Sequence, residues 1–308
     1  MTESAASTPA DAPADALTGI PAEILGDRDL DGARVLMSGG SRGIGHAIAV
    51  ALAGRGAHIA MLAKTDTPHP KLAGTVHSAV SDVEAAGGRG LAIVGDLRED
   101  ADVVRAVETT EAELGGVDII INNASAIDLS TIEALDMKRY DLMHDINVRG
   151  TFHLSKTAMP HLREAAAAGR HAQVLTLSPP LTDAEGRLDP QWFGRHLGYT
   201  MAKYGMSMTT LGLSQELSGT GVDVNSLWPA TLIDTAAIRA MPGGEEMVRA
   251  ARTPAVVAHA ALALLSGAAG RRSGEFLTDE QVLAAAGVED LSDYAVEHGR
   301  ELIPDIFL

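Results

Sequence analysis

The sequence predicts a single α/β domain on a doubly wound, mostly parallel sheet. Short apolar runs alternate with helical segments from about Ala33 onward. Runs such as "VDIII" are apolar on both alternating faces, as strands covered on both sides must be. No linker interrupts the alternation, and 308 residues at 46% hydrophobic suffice for a sizeable core.

"ARVLMSG" reads as the first strand, since a compact apolar run ends in small turn formers. "GIGHAIAVALAGRG" follows as a helix closed by glycine, and "AHIAMLA" as the second strand. "TVHSAVSDVEAAGG" is again helical, with a double glycine at its end. "GLAIVGD" is the third strand, "DADVVRAVETTEAELGG" a helix that opens on acids and stops on glycines, and "VDIIINNA" the fourth strand. A long helical region is expected from about Ile132 to Ala168. The strand "HAQVLTLS" and the helix carrying Tyr199 come next, and "VDVNSLWP" and "GEFLTDE" finish as strands. Residues 1–25, rich in Ala, Pro, Asp and Ser, read as a disordered tail, leaving 26–308 as the domain.

The net charge of −17 disfavours nucleic acid or an anionic membrane surface as a partner. Without cysteine there is no disulfide, thiolate nucleophile or Cys-ligated zinc, and a reducing cytoplasm fits. The N-terminus has neither the basic nor the apolar region of a signal peptide. No apolar run approaches the ~20 residues of a membrane span, so no stable membrane insertion is expected. His144, His153 and His161 read as helix-surface or core residues, and no metal is expected.

Two local patterns carry chemistry. The first strand leads into "SGGSRGIG", Ser38 to Gly45, at the mouth of a helix. Gly39, Gly43 and Gly45 can make the tight turn, admit a phosphate close to the backbone and let helix and strand approach, while the helix N-terminus faces the anion. Arg42 in that loop and Lys64 after the second strand are two cations where NAD-binding folds often carry an acid. A cation there suits a 2′-phosphate, so NADP(H) is the preferred cofactor and NAD(H) a possible one. Asp96, with Leu97 beside it, follows the third strand and is placed to accept from an adenine amino group. "NNAS", with Asn123 and Ala124, closes the fourth strand. The second pattern is "LGYTMAKYGMSM". Tyr199 and Lys203 are four residues apart and share a helix face. A cation beside a phenol, whose ordinary pKa is near ~10, favours the phenolate.

The glycine motif, "NNA", "INVRG" with Asn147, and the Tyr199/Lys203 pair stand in the order and at the intervals of the short-chain dehydrogenase/reductase family. The chain resembles that family from about Asp31 to Asp279. A closer resemblance rests on "AKTDTPHPKLAGTVHSAVSDVEAAGG", "SPP", "AKYGMSM" and "LWP" and continues to the terminal "PDIFL". It is to members that, in animals, carry a sterol-carrier domain downstream, a domain not expected here.

The resemblance implies a Rossmann-type fold and a homodimer or homotetramer. It implies that Tyr199 exchanges a proton with the substrate oxygen while the nicotinamide exchanges a hydride with the carbon. Lys203 would lower the Tyr199 pKa and bond the nicotinamide ribose, and Asn147 would hold a water in a proton relay. Around the phosphates it assigns Ser38, Gly39, Ser41, Arg42, Gly43, Ile44 and Gly45. Pro229–Ala230 stands where the family has Pro-Gly, and Thr231 and Thr235 are then candidates for the carboxamide or phosphates. The family's catalytic serine falls in "TLSPP". There Ser178 is the candidate, but the strand register can instead put Pro179, which cannot donate, at the family position.

The stretch between Ser178 and Tyr199 is long for the family and holds Trp192 and Phe193. With Leu181, Leu188 and Leu197 nearby, it reads as an apolar lid. The expected substrate is an apolar alcohol, aldehyde or ketone, lipid-like or terpenoid. Reduction of an acyl-thioester double bond or 3-keto group is the rival chemistry, and a cofactor-binding regulator that no longer catalyses is the rival class.

Overall fold

The computed structural model describes residues 24, 30–68, 74–182, 186–188 and 190–308, the Trp192 side chain apart. Its sheet has seven strands: β1 Arg34–Ser38, β2 His58–Ala63, β3 Gly90–Val94, β4 Ile119–Asn122, β5 Gln173–Leu177, β6 Asp223–Trp228 and β7 Phe276–Thr278. They lie in the order β3-β2-β1-β4-β5-β6-β7, every pair parallel. Parallel neighbours need helical crossovers, and those crossovers cover both faces.

The alternation of side chains shows the double covering. Val35, Met37, Ile59 and Met61 point to one core with Ile48 and Leu52 of α1 (Gly43–Ala53). Leu36, Ala60 and Leu62 point to a second core with Leu154 and Leu162 on the opposite side. Helix α2 is Val76–Ala85, opened by a capping box between Thr75 and Ser78. Helix α3, Asp100–Leu114, is stopped by Gly115 at φ 83°.

The region expected as one helix from Ile132 to Ala168 is broken up. Helix α4, Met137–Met143, starts only after Asp136, whose carboxylate accepts from the Lys138 amide at 2.8 Å. A π-helical turn, His144–Gly150, then carries Asn147, and α5 runs over Thr151–Ala167. After β5 come α6 (Pro190–Arg195) and the long α7 (Leu197–Glu216). Two short helices, α8 (Ala236–Arg239) and α9 (Gly244–Met247), follow β6. Helix α10 (Ala255–Ser266) is buried along its whole length, and α11 (Asp279–Ala285) follows β7.

Among the described residues no helix is long and apolar enough to cross a membrane. The expected N-terminal tail lies outside the described residues except for Ile24. That residue is fully buried in the first core.

Past α11 the chain returns across the sheet. Leu232 N donates to Ile303 O at 2.8 Å, Asp305 N to Ala230 O at 3.1 Å, and Thr231 forms an antiparallel bridge with Pro304. The segment 303–308 is thereby laid against the loop after β6. All the elements of the site meet at the C-terminal ends of the strands, where the chain order reverses between β1 and β4.

Candidate active site

The glycine loop is built by close approach. Gly39 has φ 74°, and a Cβ there would lie 2.7 Å from the Ala124 Cα; one on Gly45 would lie 2.3 Å from Asn123 Nδ2 and 2.6 Å from Gly39 O. Gly43 has φ 57°, in the region that favours glycine. The Ser38 hydroxyl accepts from the amides of Asn123 and Ala124, at 3.3 and 3.2 Å. Asn123 Nδ2 in turn donates to Gly39 O at 2.7 Å. Ser38 and Asn123 therefore tie β1 to β4 and brace the loop, instead of presenting side chains to a ligand. Ser41 is buried, and Ile44 packs against the first core.

The residues fit a dinucleotide. Arg42, at the N-cap of α1, makes no side-chain bond to the first turn, and that turn holds no acid, so its N–H groups face outward uncapped. Beyond β6, Thr231 Oγ1 is buried and has no hydrogen-bond partner among the described residues, as a contact for a ligand amide would be. Pro229 precedes it. Thr235 lies beside the loop, its Cγ2 3.5 Å from where a Gly43 Cβ would be, but its hydroxyl caps α8 by accepting from the Ile238 amide.

The adenosine end gathers two cations. The Arg42 guanidinium donates to Thr65 Oγ1 and Gly74 O, both at 3.1 Å, and Lys64 is exposed next to Thr65. Both Asp96 oxygens are bound by Arg98, which holds the carboxyl below its ordinary range, aided by Lys64. Adenine recognition by Asp96 would have to share that carboxylate. Leu97 is buried against Gly150, in the π-helical turn.

At the other end stands Tyr199, on the first turn of α7 and 5% exposed. Burial is the main cause pushing its phenol pKa up, the charge of Asp305 adds to it, and a hydrogen bond with the Ser125 side chain opposes. Lys203 shares the helix and is also buried, but its ammonium turns toward the sheet. Nζ donates to Leu177 O at 2.7 Å and lies 4.8 Å from the Trp228 ring centroid. Burial brings Lys203 down to about 7, with Asp305 opposing. The expected lowering of the Tyr199 pKa is thus reversed, because desolvation outweighs a cation that points elsewhere.

Ser178 is held at the end of β5. Its hydroxyl is 2.8 Å from Ser226 Oγ, which donates to Thr210 Oγ1 at 2.9 Å, in a buried chain between β5, β6 and α7. One residue of strand is one face of the sheet, so Ser178 shares the inward face of Thr176. Pro179 follows it and has no donor. Asn147 is fully buried, and its side chain is committed to the loop after β4: Oδ1 accepts from Ala126 N at 2.8 Å and Nδ2 donates to Ala126 O at 3.0 Å. It pins the residue next to Ser125.

Sequence reasoning missed Ser125 as the hydroxyl on Tyr199, although it ends the quoted "NNAS". It also missed the C-terminal residues. Phe307 lies 5.9 Å from the rings of both Tyr199 and Tyr204 and 5.5 Å from Trp228, and Phe193 lies 5.1 Å from Tyr204. An aromatic cluster thus covers the tyrosine. Phe193, from the expected lid, belongs to it; Leu181 and Leu197 are half-buried and Leu188 is exposed. The side chain of Trp192 lies outside the described residues.

Comparison with known proteins gives the family. The family model described as "short chain dehydrogenase" matches residues 33–242. The chain belongs to the short-chain dehydrogenase/reductase family. It is 45% identical over 279 residues to hydroxysteroid dehydrogenase-like protein 2 of Xenopus tropicalis, a match covering 91% of this chain and 64% of the frog protein. The chain thus spans less than two thirds of that relative. A solved structure of a candidate dehydrogenase from Xanthomonas campestris has TM-score 0.84 and 47% identity, covering 91% of this chain and 98% of that one. A short-chain dehydrogenase from Mycobacterium thermoresistibile has TM-score 0.82 and 44% identity, covering 91% and 96%.

Proposed function

We propose that the chain is an NADP(H)-preferring oxidoreductase acting on an apolar alcohol, aldehyde or ketone, lipid-like or terpenoid. The observation that carries this is Tyr199 bonded to Ser125 beneath the aromatic cluster of Phe193, Tyr204, Trp228 and Phe307. Bound nicotinamide supplies or accepts the hydride. The protein's own part is the proton. The Tyr199 hydroxyl exchanges it with the substrate oxygen, and Ser125 fixes the direction of that hydroxyl and donates to the same oxygen. Asn147 holds Ser125 in place through Ala126. Lys203 is the cation nearest this group and a contact for the cofactor ribose. Arg42 and Lys64 favour a 2′-phosphate, since Lys64 directly follows β2 and the acid two residues on, Asp66, pairs with His77.

An apolar cover favours apolar substrates, because buried apolar surface contributes about 25 cal/mol per Å², while a small polar ligand leaves the aromatic faces unsatisfied. The test is NADPH oxidation with straight-chain aldehydes of increasing length. Wild-type kcat/KM should rise with length, and Tyr199→Phe should lose about 10²–10⁴ in turnover, as for a lost general acid, with NADPH affinity within a few-fold. Retained turnover in Tyr199→Phe would sink the assignment.

A homodimer or homotetramer completes the reading. Phe152 of α5 and Met201, Met208 and Leu211 of α7 remain exposed, and such a face is suited to a second copy. Light scattering at micromolar concentration should give a multiple of the 32.0 kDa chain mass, and a monomer would refute it. A cytoplasmic location fits a chain without cysteine.

A further inference from the structure

The C-terminal segment brings a carboxyl into the site that no motif announces. Asp305 Oδ1 accepts from Trp228 Nε1 at 2.6 Å, and the carboxylate also accepts from the amides of Ile306 and Phe307. Trp228 carries Lys203 over its ring while its N–H edge holds Asp305. One indole therefore stands between an ammonium and a carboxyl, and the ring of Phe307 closes over Tyr199 from the same segment. A buried acid so placed, with donors from a side chain and two amides, is costly to build and does not belong to any cap or surface ion pair.

We infer that Asp305 is a positioning residue of the active site, which acts through Lys203 and Trp228 to set the charge state of the group around Tyr199. This rests on the reading of Tyr199 and Lys203 as the proton-handling pair. The titratable groups on the packed elements are Lys203, Tyr199 and Tyr204 of α7. Strand β6 brings Trp228, the loop after β4 brings Ser125, and Asp279 of α11 faces the same loop by accepting from Ala230 N at 2.8 Å. Arg252 and Glu280 pair with each other beyond Asp279.

Burial pushes Asp305 up to about 7, with the Trp228 and amide hydrogen bonds and Lys203 opposing. Lys203 is brought down to about 7 by burial, against the attraction of Asp305. Each group's charge thus favours the other's charged form, so the two titrate as a coupled pair. The sign of removing Asp305 is unambiguous. A negative neighbour raises both the Lys203 and the Tyr199 pKa, so neutralising it lowers both. A residue that served only to pin the C-terminus would lower activity at every pH without moving either titration.

The experiment follows Lys203 directly, in the full chain without cofactor. The sequence has five lysines, so 13Cε-lysine NMR resolves them, and loss of a signal in Lys203→Arg assigns it. In Asp305→Asn the Lys203 midpoint should fall by about one pH unit. Trp228→Phe, which keeps a ring under the ammonium but removes the N–H from the carboxyl, should move it the same way by less. If the asparagine variant does not fold, as its melting curve would show, Trp228→Phe decides alone.

An unmoved midpoint in a folded variant overturns the inference. The pH profile of kcat/KM with NADPH and octanal should likewise shift to lower pH in Asp305→Asn, and a uniform drop with an unmoved limb also overturns it. A shifted Lys203 midpoint together with an active Tyr199→Phe enzyme would instead leave the coupling standing and remove the catalytic assignment.

Discussion

The glycine-loop end and the tyrosine end of this site share one sheet edge but are assembled differently. The first is made by neighbours in sequence. Residues 38–45 fold from β1 into α1, and Asn123 and Ala124 after β4 brace them together with Leu62 O, which accepts from the Gly39 amide at 3.0 Å. The second is gathered from four distant stretches: Ser125 after β4, Tyr199 and Lys203 on α7, Trp228 at the end of β6, and Asp305 and Phe307 near the C-terminus. The first end is set by backbone clearance, so it tolerates almost no added atoms. The second is set by which polar atom finds which partner in a dry pocket, so its chemistry turns on single hydroxyl and carboxyl groups.

Backbone clearance gives the larger expected effect at the cofactor end. Gly45→Ala places a methyl 2.3 Å from Asn123 Nδ2 and 2.6 Å from a backbone oxygen that cannot turn away. Overpacking of this kind costs about 1–3 kcal/mol, so NADPH affinity should fall about tenfold or more and the melting temperature with it. Wild-type affinity in a normally stable variant would mean that the loop does not carry the pyrophosphate.

A smaller change is expected where charge, not clearance, decides. Lys64→Asp should lower the ratio of kcat/KM for NADPH over NADH by about tenfold, equal to about 1.4 kcal/mol, since the exposed end of β2 loses a cation and gains an acid. An unchanged ratio would leave Arg42 alone, or neither cation, as the reader of the 2′-phosphate.

The same contrast explains what could be read in the sequence. The alternation of strands and helices, the glycine loop and the Tyr199/Lys203 spacing are local patterns: the alternation and the loop turn appear in the structure, and Tyr199 and Lys203 share α7, although the Lys203 ammonium turns to Leu177 O. Helix α10 was hidden because it is apolar all round, which leaves no amphipathic period to detect. The break at the π-helical turn follows from packing around Asn147 and Gly150, which leaves no mark in propensity. The place of Ser178 is hard to read because a strand end has two faces and one residue of register moves a side chain from one to the other. Ser125, Asp305 and Phe307 were unreadable as site residues because their roles depend on contacts across 74 or more residues of chain to Tyr199, Lys203 and Trp228. The reversal of the Tyr199 pKa shift was equally out of reach, since burial is a property of the assembled pocket.

The central claim is that Tyr199 works with Ser125 and not with Ser178. Both serines can be cut to alanine with little change in volume, so one comparison decides it: steady-state turnover of Ser125→Ala and Ser178→Ala with NADPH and octanal, beside their melting temperatures. Ser125→Ala should lose about 10² in kcat, the lower end of the range for a group acting on proton transfer, at nearly unchanged stability. Ser178→Ala, which takes from Ser226 one of its two partners in a buried chain, should lose about 1–3 kcal/mol of stability and keep kcat within a few-fold. A Ser178→Ala enzyme that folds and is inactive, beside an active Ser125→Ala, would contradict the account.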